Sequence, residues 1–105
     1  MQRKEQFRLG KDLSRHASEV DSLPPFVSAA AQQRCDRNLT TPDRLIGNHF
    51  DGDWGGITPG DRTFNERALE SGAGEVISKW FTEQDRVWVV SEAEKQTRVI
   101  VPSEW

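Results

Sequence analysis

The chain has 105 residues, 34% of them hydrophobic and 30% charged, with a net charge of −3 at neutral pH, which suits one small domain with a single core and a polar surface. No apolar run reaches the roughly 18 residues of a membrane span, and the opening stretch "MQRKEQFRLGKDLSRHASEVDSLPP" lacks the apolar centre of a secretory signal. A single cysteine, Cys35, excludes an internal disulfide and fits a reducing cytoplasm.

The charge is unevenly spread. Residues 1–50 carry eight Lys/Arg against six Asp/Glu, and residues 51–105 carry six against eleven. An acidic second half opposes non-specific binding to nucleic acid, so no direct nucleic-acid partner is expected, and it suits docking on a basic surface.

In chain order, residues 1–26 read as an arm: charged, poor in large apolar residues, and closed by the breaker Pro24–Pro25–Phe26. Leu13, Ala17 and Val20 are spaced for one face of a short helix within it. The domain proper is expected over 27–105. Val27, Ala31, Cys35 and Leu39 recur every fourth residue, which predicts a first helix over 27–38. Thr41 as N-cap, Pro42 at the first helical position and Asp43 in the first turn open a second helix over 42–50 that buries Leu45, Ile46 and Phe50. Gly47 either weakens that helix or admits a close backbone. A third helix is predicted over 59–71, with Phe64, Ala68 and Leu69 on its inner face and Gly72 as its stop.

The period then changes. "EVISKWFT", "RVWVVSE" and "TRVIVP" are β-branched and aromatic, separated by Glu83–Gln84–Asp85 and Glu94–Lys95–Gln96. Short connections predict an antiparallel meander. Val76, Ser78 and Trp80 share one face of its first strand, and Ile77, Lys79 and Phe81 the other. The expected fold is α+β: two or three N-terminal helices packed on a three-stranded antiparallel β-meander. One sheet face should meet the helices and the other should present an apolar or aromatic patch.

The densest local signal is "HFDGDWGG", residues 49 to 56. His49, Asp51 and Asp53, with Asn65 as a further ligand, compose a possible divalent-metal set. A calcium loop starting at Asp51 fails, because its fifth position is Gly55 and its twelfth is Arg62. The structural reading assigns each residue a different task. Gly52, Gly55 and Gly56 supply unusual backbone angles, and Asp53 accepts from nearby amides. Trp54 plugs the gap between helices and sheet while its N–H finds a carbonyl. His49, on the last helical turn, sits favourably against the helix dipole when protonated. On this reading no metal or cofactor is bound and no catalytic residue is assigned. There is no G-x-S-x-G elbow or phosphate loop, and nothing in the spacing joins Cys35 to a histidine as a nucleophilic pair.

Residues 41–105 resemble a group of small bacterial proteins of plasmids and other mobile elements that share an H-x-x-G-D-W-G motif. Many of these carry the label "type I restriction endonuclease subunit M" or plasmid-related protein. The resemblance lies in Thr41–Pro42, "HFDGDWG", "NERAL", "RVWVVSEAEK" and "VPSEW"; the first 40 residues are outside it. A modification subunit needs a glycine-rich fold for S-adenosylmethionine and a base-flipping aromatic motif, and this chain has neither N-P-P-Y/F nor any tyrosine. What the resemblance implies is an association with mobile DNA.

The function expected is therefore that of a small non-enzymatic protein acting by protein–protein binding, as an inhibitor of a bacterial defence system such as CRISPR–Cas or a restriction enzyme. Its partner would be a protein of a complex that processes nucleic acid. Glu66, Glu70, Glu75, Glu83, Asp85, Glu92 and Glu94 are the candidate charges for that contact, and Trp80 and Trp88 the candidate anchors. The alternatives are a metal-binding or metal-assisted domain centred on His49, Asp51 and Asp53, and an antitoxin-like regulatory partner whose arm wraps another chain.

Overall fold

The computed structural model describes residues 24–93 and 95–105. Among these the chain forms strand β1 (Phe26–Val27), helices α1 (Ala29–Arg37), α2 (Pro42–Phe50) and α3 (Pro59–Ser71), then strands β2 (Glu75–Trp80), β3 (Val87–Glu92) and β4 (Arg98–Ile100). The fold is α+β. No helix among the described residues is long and apolar enough to cross a membrane.

Side-chain caps set the helix limits. Ser28 accepts from the Ala31 N–H at 3.1 Å, so α1 begins at Ala29 rather than at Val27, which is extended. Thr41 accepts from Arg44 N–H at 3.2 Å and Pro42 opens α2. Thr58 and Asp61 cap each other's backbone at 3.0 and 3.3 Å to start α3. Gly72, at φ 72°, ends that helix with its N–H on Ala68 O. Leu39 falls off the predicted stripe. α1 stops at Arg37, Leu39 takes φ 58°, and its side chain is 94% exposed.

The sheet has four strands in the order β1-β4-β3-β2. β2, β3 and β4 form the antiparallel meander, with Ile77 opposite Val90 and Trp88 opposite Ile100. The expectation of three strands is corrected by β1, which pairs parallel to β4, Phe26 with Arg98 and Val27 with Val99. Phe26 N–H donates to Thr97 O at 2.8 Å and Ser28 N–H to Val99 O at 3.0 Å. Two residues behind a Pro-Pro pair are too few to show alternation in a sequence, so the last residue of the expected arm belongs to the sheet. The remaining arm residues 1–23, with Leu13, His16, Ala17 and Val20, lie outside the described residues, as does Glu94.

All three helices meet the sheet face that carries Val76, Ser78, Val87, Val89 and Val99. One core cluster joins Ala31, Cys35 and Leu45 to Val87, Val89, Val99 and Val101. A second joins Trp54, Ala68 and Val76, with Phe50, Ile57 and Leu69 against it. Besides Leu39, two apolar side chains depart from their predicted places. Phe64 is 55% exposed, because Asn65 and Ala68 occupy the inward line of α3. Phe81 adopts φ 69°, leaves the strand and packs on the first cluster instead of continuing the outer face.

Candidate functional site

The octapeptide of residues 49–56 lies where α2, α3 and the sheet converge. His49, on the last turn of α2, is 1% exposed. Its Nδ1 stands 2.8 Å from the Ser78 hydroxyl on β2, and its Nε2 stands 2.7 Å from the Ser91 hydroxyl on β3. The Trp80 indole N–H donates to Ser78 Oγ at 2.8 Å. A chain in which Trp80 donates to Ser78, Ser78 to Nδ1, and Nε2–H to Ser91 runs in one direction and is mutually reinforcing. In that chain the imidazole hydrogen is the one on Nε2; in the reverse tautomer Nδ1–H donates to Ser78 and Ser91 donates to Nε2. Burial drives the His49 pKa down to about 3. The ring is therefore neutral near pH 7, and the expected charge–dipole contact with the end of α2 is not made.

The loop after His49 is folded back by its own amides. Gly52, at φ 91°, returns its N–H to His49 O, and Asp53 N–H reaches Asn48 O at 2.9 Å. The Asp53 carboxylate accepts from Gly55 N–H at 3.1 Å. Trp54 is 6% exposed, and its indole N–H donates to His49 O at 3.2 Å. The Arg62 guanidinium covers the ring from outside, 5.4 Å from its centroid. Gly55 then runs alongside β2: Lys79 N–H donates to Trp54 O, and Gly56 N–H to Lys79 O at 2.9 Å. A Cβ on Gly55, which has φ 68°, would collide with the Lys79 carbonyl.

Asn65 finishes this edge. Its amide donates to Ile77 O at 2.8 Å and accepts from Ile77 N–H at 3.0 Å, while the residue is 1% exposed. The outward peptide groups of Ile77 and Lys79 on β2 are thus paired by a side chain and by a loop, and they are withdrawn from pairing with another strand.

This geometry does not bring the residues of the metal reading together. Both ring nitrogens of His49 are engaged by hydroxyls in the interior, Asp51 and Asp53 are exposed at the surface, and Asn65 is turned to Ile77. Among the described residues no three His, Cys, Asp or Glu side chains are grouped to hold an ion. The Ser–His contacts have the distances of an activated nucleophile. Yet Ser78 is fully buried and Ser91 2% exposed, so a substrate could reach neither without opening the core. Cys35 is buried in the first cluster, and burial, then the neighbouring Asp36, raises its thiol pKa and keeps it protonated.

The candidate contact residues do not form one surface. Trp80 faces the helices and Trp88 the opposite side of the sheet, since Trp80 pairs with Val87 and Lys79 with Trp88. Three of the acids are in ion pairs: Glu75 with Arg98 at 3.8 Å, Asp85 with Arg37 at 2.7 Å, and Glu92 with Lys95 at 3.7 Å. The Arg37 hydrogen bond holds Asp85 below the usual carboxylate range. Glu66, Glu70 and Glu83 make no ion pair among the described residues. Glu66 is half-buried on α3, while Glu70 on α3 and Glu83 in the β2–β3 turn are exposed.

The sequence reading left out several residues that matter here. Ser78 and Ser91 are the partners of His49; the signal is a serine at a core-facing position of each strand, where a buried hydroxyl needs a partner. Trp105 is 52% exposed and stands edge-on to Trp88 at 5.6 Å. The Trp88 indole N–H is buried without an acceptor among the described residues. Lys79 lies 4.9 Å above the Trp88 ring and binds Asp61 at 2.9 Å, and that hydrogen bond lowers the Asp61 pKa. Comparison with protein families, curated proteins and solved structures finds no match for the chain.

Proposed function

We propose that this is a non-enzymatic protein of a mobile element that binds and inhibits a bacterial defence complex of the CRISPR–Cas or restriction type in the cytoplasm, using the outward face of α3. The observation that carries this reading is Phe64, a large apolar side chain left 55% exposed in the middle of a well-capped helix. Phe64, Arg67 and Ser71 follow one another along one side of α3 by helical spacing, and Glu66 and Glu70, four residues apart, share the far side. An aromatic anchor on one side of the helix, with two acids on the far side that have no ion partner among the described residues, suits a basic protein surface. The "HFDGDWG" motif supports the assignment to a mobile element by resemblance. The internal pairing of His49 and Asn65, with Asp53 tied to its own loop, favours a binding role over a reactive one.

The test is inhibition of the purified complexes, with binding measured in parallel. Wild-type protein should block cleavage of target DNA. Phe64→Ala and the pair Glu66→Lys/Glu70→Lys should each weaken binding at least about tenfold, or about 1.4 kcal/mol, and the remaining affinity should fall with salt. Absence of inhibition, or inhibition indifferent to both changes, overturns the reading.

A further inference from the structure

We infer that the Trp105 indole is a lid on Trp88: it swings off while the sheet stays paired, and only then does the Trp88 N–H meet an acceptor from outside. The helix-free face of the sheet is closed within the chain. Val90 and Ile100 on it are 2% exposed, and Trp105 stands edge-on to Trp88 at 5.6 Å. The cations there have partners of their own, Lys79 with Asp61 at 2.9 Å and Arg98 with Glu75 at 3.8 Å. Lys79 also lies 4.9 Å from the Trp88 ring centroid, and Arg98 lies 5.6 Å from that of Trp105.

Trp105 is the least anchored piece of this cover. It remains 52% exposed, so closure takes only part of the ring out of water. The turn that carries it is closed by its own bonds. Glu104 N–H donates to Val101 O at 2.8 Å, Trp105 N–H to Pro102 O at 3.1 Å, and Val101 N–H to the Glu104 carboxylate at 2.9 Å. The indole can therefore rotate about its side-chain bonds without breaking the turn or any strand pair.

The closed form also carries a penalty that the open form lacks. The Trp88 N–H is buried with no acceptor among the described residues, which forfeits its hydration. The other two tryptophans packed against the core are satisfied: Trp54 donates to His49 O at 3.2 Å and Trp80 to Ser78 Oγ at 2.8 Å. Lifting Trp105 loses ring contact but gives the Trp88 donor a water. The two effects oppose each other, so the lid opens well before the sheet does. It lies on the side of the sheet away from α3, and nothing in it depends on the α3 contact.

Hydrogen–deuterium exchange of the indole N–H groups, followed by NMR on the full chain, tests the lid, with Trp54 as the internal control. In the wild type the Trp88 indole should exchange at least about tenfold faster than that of Trp54, and its rate should respond little to low urea. Trp105→Ala should speed Trp88 by a further factor of about ten while leaving the Trp54 rate unchanged, and Trp105→Phe, which keeps an aromatic cover, should fall between. Equal exchange at Trp88 and Trp54 in the wild type overturns the lid. So does a Trp105→Ala protein in which Trp88 is unchanged, or in which Trp54 accelerates equally and Trp105 is thereby part of the global fold.

Discussion

His49 shows how much one buried side chain can impose on the behaviour of the domain. In the unfolded chain its imidazole regains the ordinary value of 6.5, whereas in the folded protein it is held to about 3 by burial. Between these limits the unfolded state binds a proton that the folded state refuses. Stability therefore rises with pH across the window, is complete above 6.5, and declines by up to about 1.4 kcal/mol per pH unit on acidification. Asp61, Asp85 and Glu104 have lowered pKa values, so their contribution is lost only as the pH falls through the carboxylate range. The interval between 6.5 and 4.5 isolates the histidine. Urea unfolding at half-unit steps should show this slope in the wild type and a much flatter one in His49→Gln; parallel slopes would refute the assignment. Two glycines make the complementary case. Gly47 lies inside α2 with no atom within 4 Å of the place a Cβ would take, whereas Gly55 has positive φ and a backbone carbonyl in the way. Gly47→Ala should stabilise by about 1 kcal/mol and Gly55→Ala should cost more than about 2 kcal/mol, measured by the same denaturation. The sequence offered both explanations for Gly47 and could not separate them, because the answer depends on what packs above the helix.

The elements divide by how local their determinants are. α2 and α3 were legible because Thr41–Pro42, Thr58–Pro59 and Gly72 carry cap and stop chemistry within a few residues, and their ends fall where those signals stand. The meander was legible because β-branched runs and short polar turns permit little else. β1 was not, since a two-residue strand exists only through its parallel partner 72 residues away. The inward line of α3 was misread for a related reason. Apolarity favoured Phe64, but the edge of β2 demanded a side chain able both to donate and to accept, and Asn65 supplies it. The same logic hid the network of His49, whose partners are 29 and 42 residues distant and depend on strand register. The Asn65 clamp has a direct test. Asn65→Ala strips two buried backbone groups of their partners, at about 1–3 kcal/mol each, and the amide of Ile77 should exchange with deuterium far faster while that of Val99, in the interior of the sheet, changes much less. Equal acceleration at both sites would mean that the clamp serves the whole fold rather than the edge.

At the scale of the whole molecule the unusual feature is two apolar clusters joined by a polar bridge. Val76 and Trp54 belong to one, Val89 and Leu45 to the other. Ser78 and Ser91 lie among these same strand positions, with His49 of α2 bonded to both. An apolar seam there would let the clusters slide or open separately, since dispersion contacts have little directional preference. Two hydrogen bonds from His49, one to each strand, set one registry of α2 on β2 and β3. The bridge should therefore make the clusters cooperative. Trp54→Ala removes the centre of the smaller cluster and should cost about 3–5 kcal/mol. With the bridge intact that loss should appear equally in the exchange protection of Val76 and of Val99, although Val99 belongs to the other cluster. Combined with His49→Leu, which keeps bulk but removes both hydrogen bonds, the same Trp54→Ala change should lower protection at Val76 while largely sparing Val99. Protection that is uncoupled even with His49 in place would show that the bridge satisfies buried hydroxyls without transmitting stability between the two halves of the core.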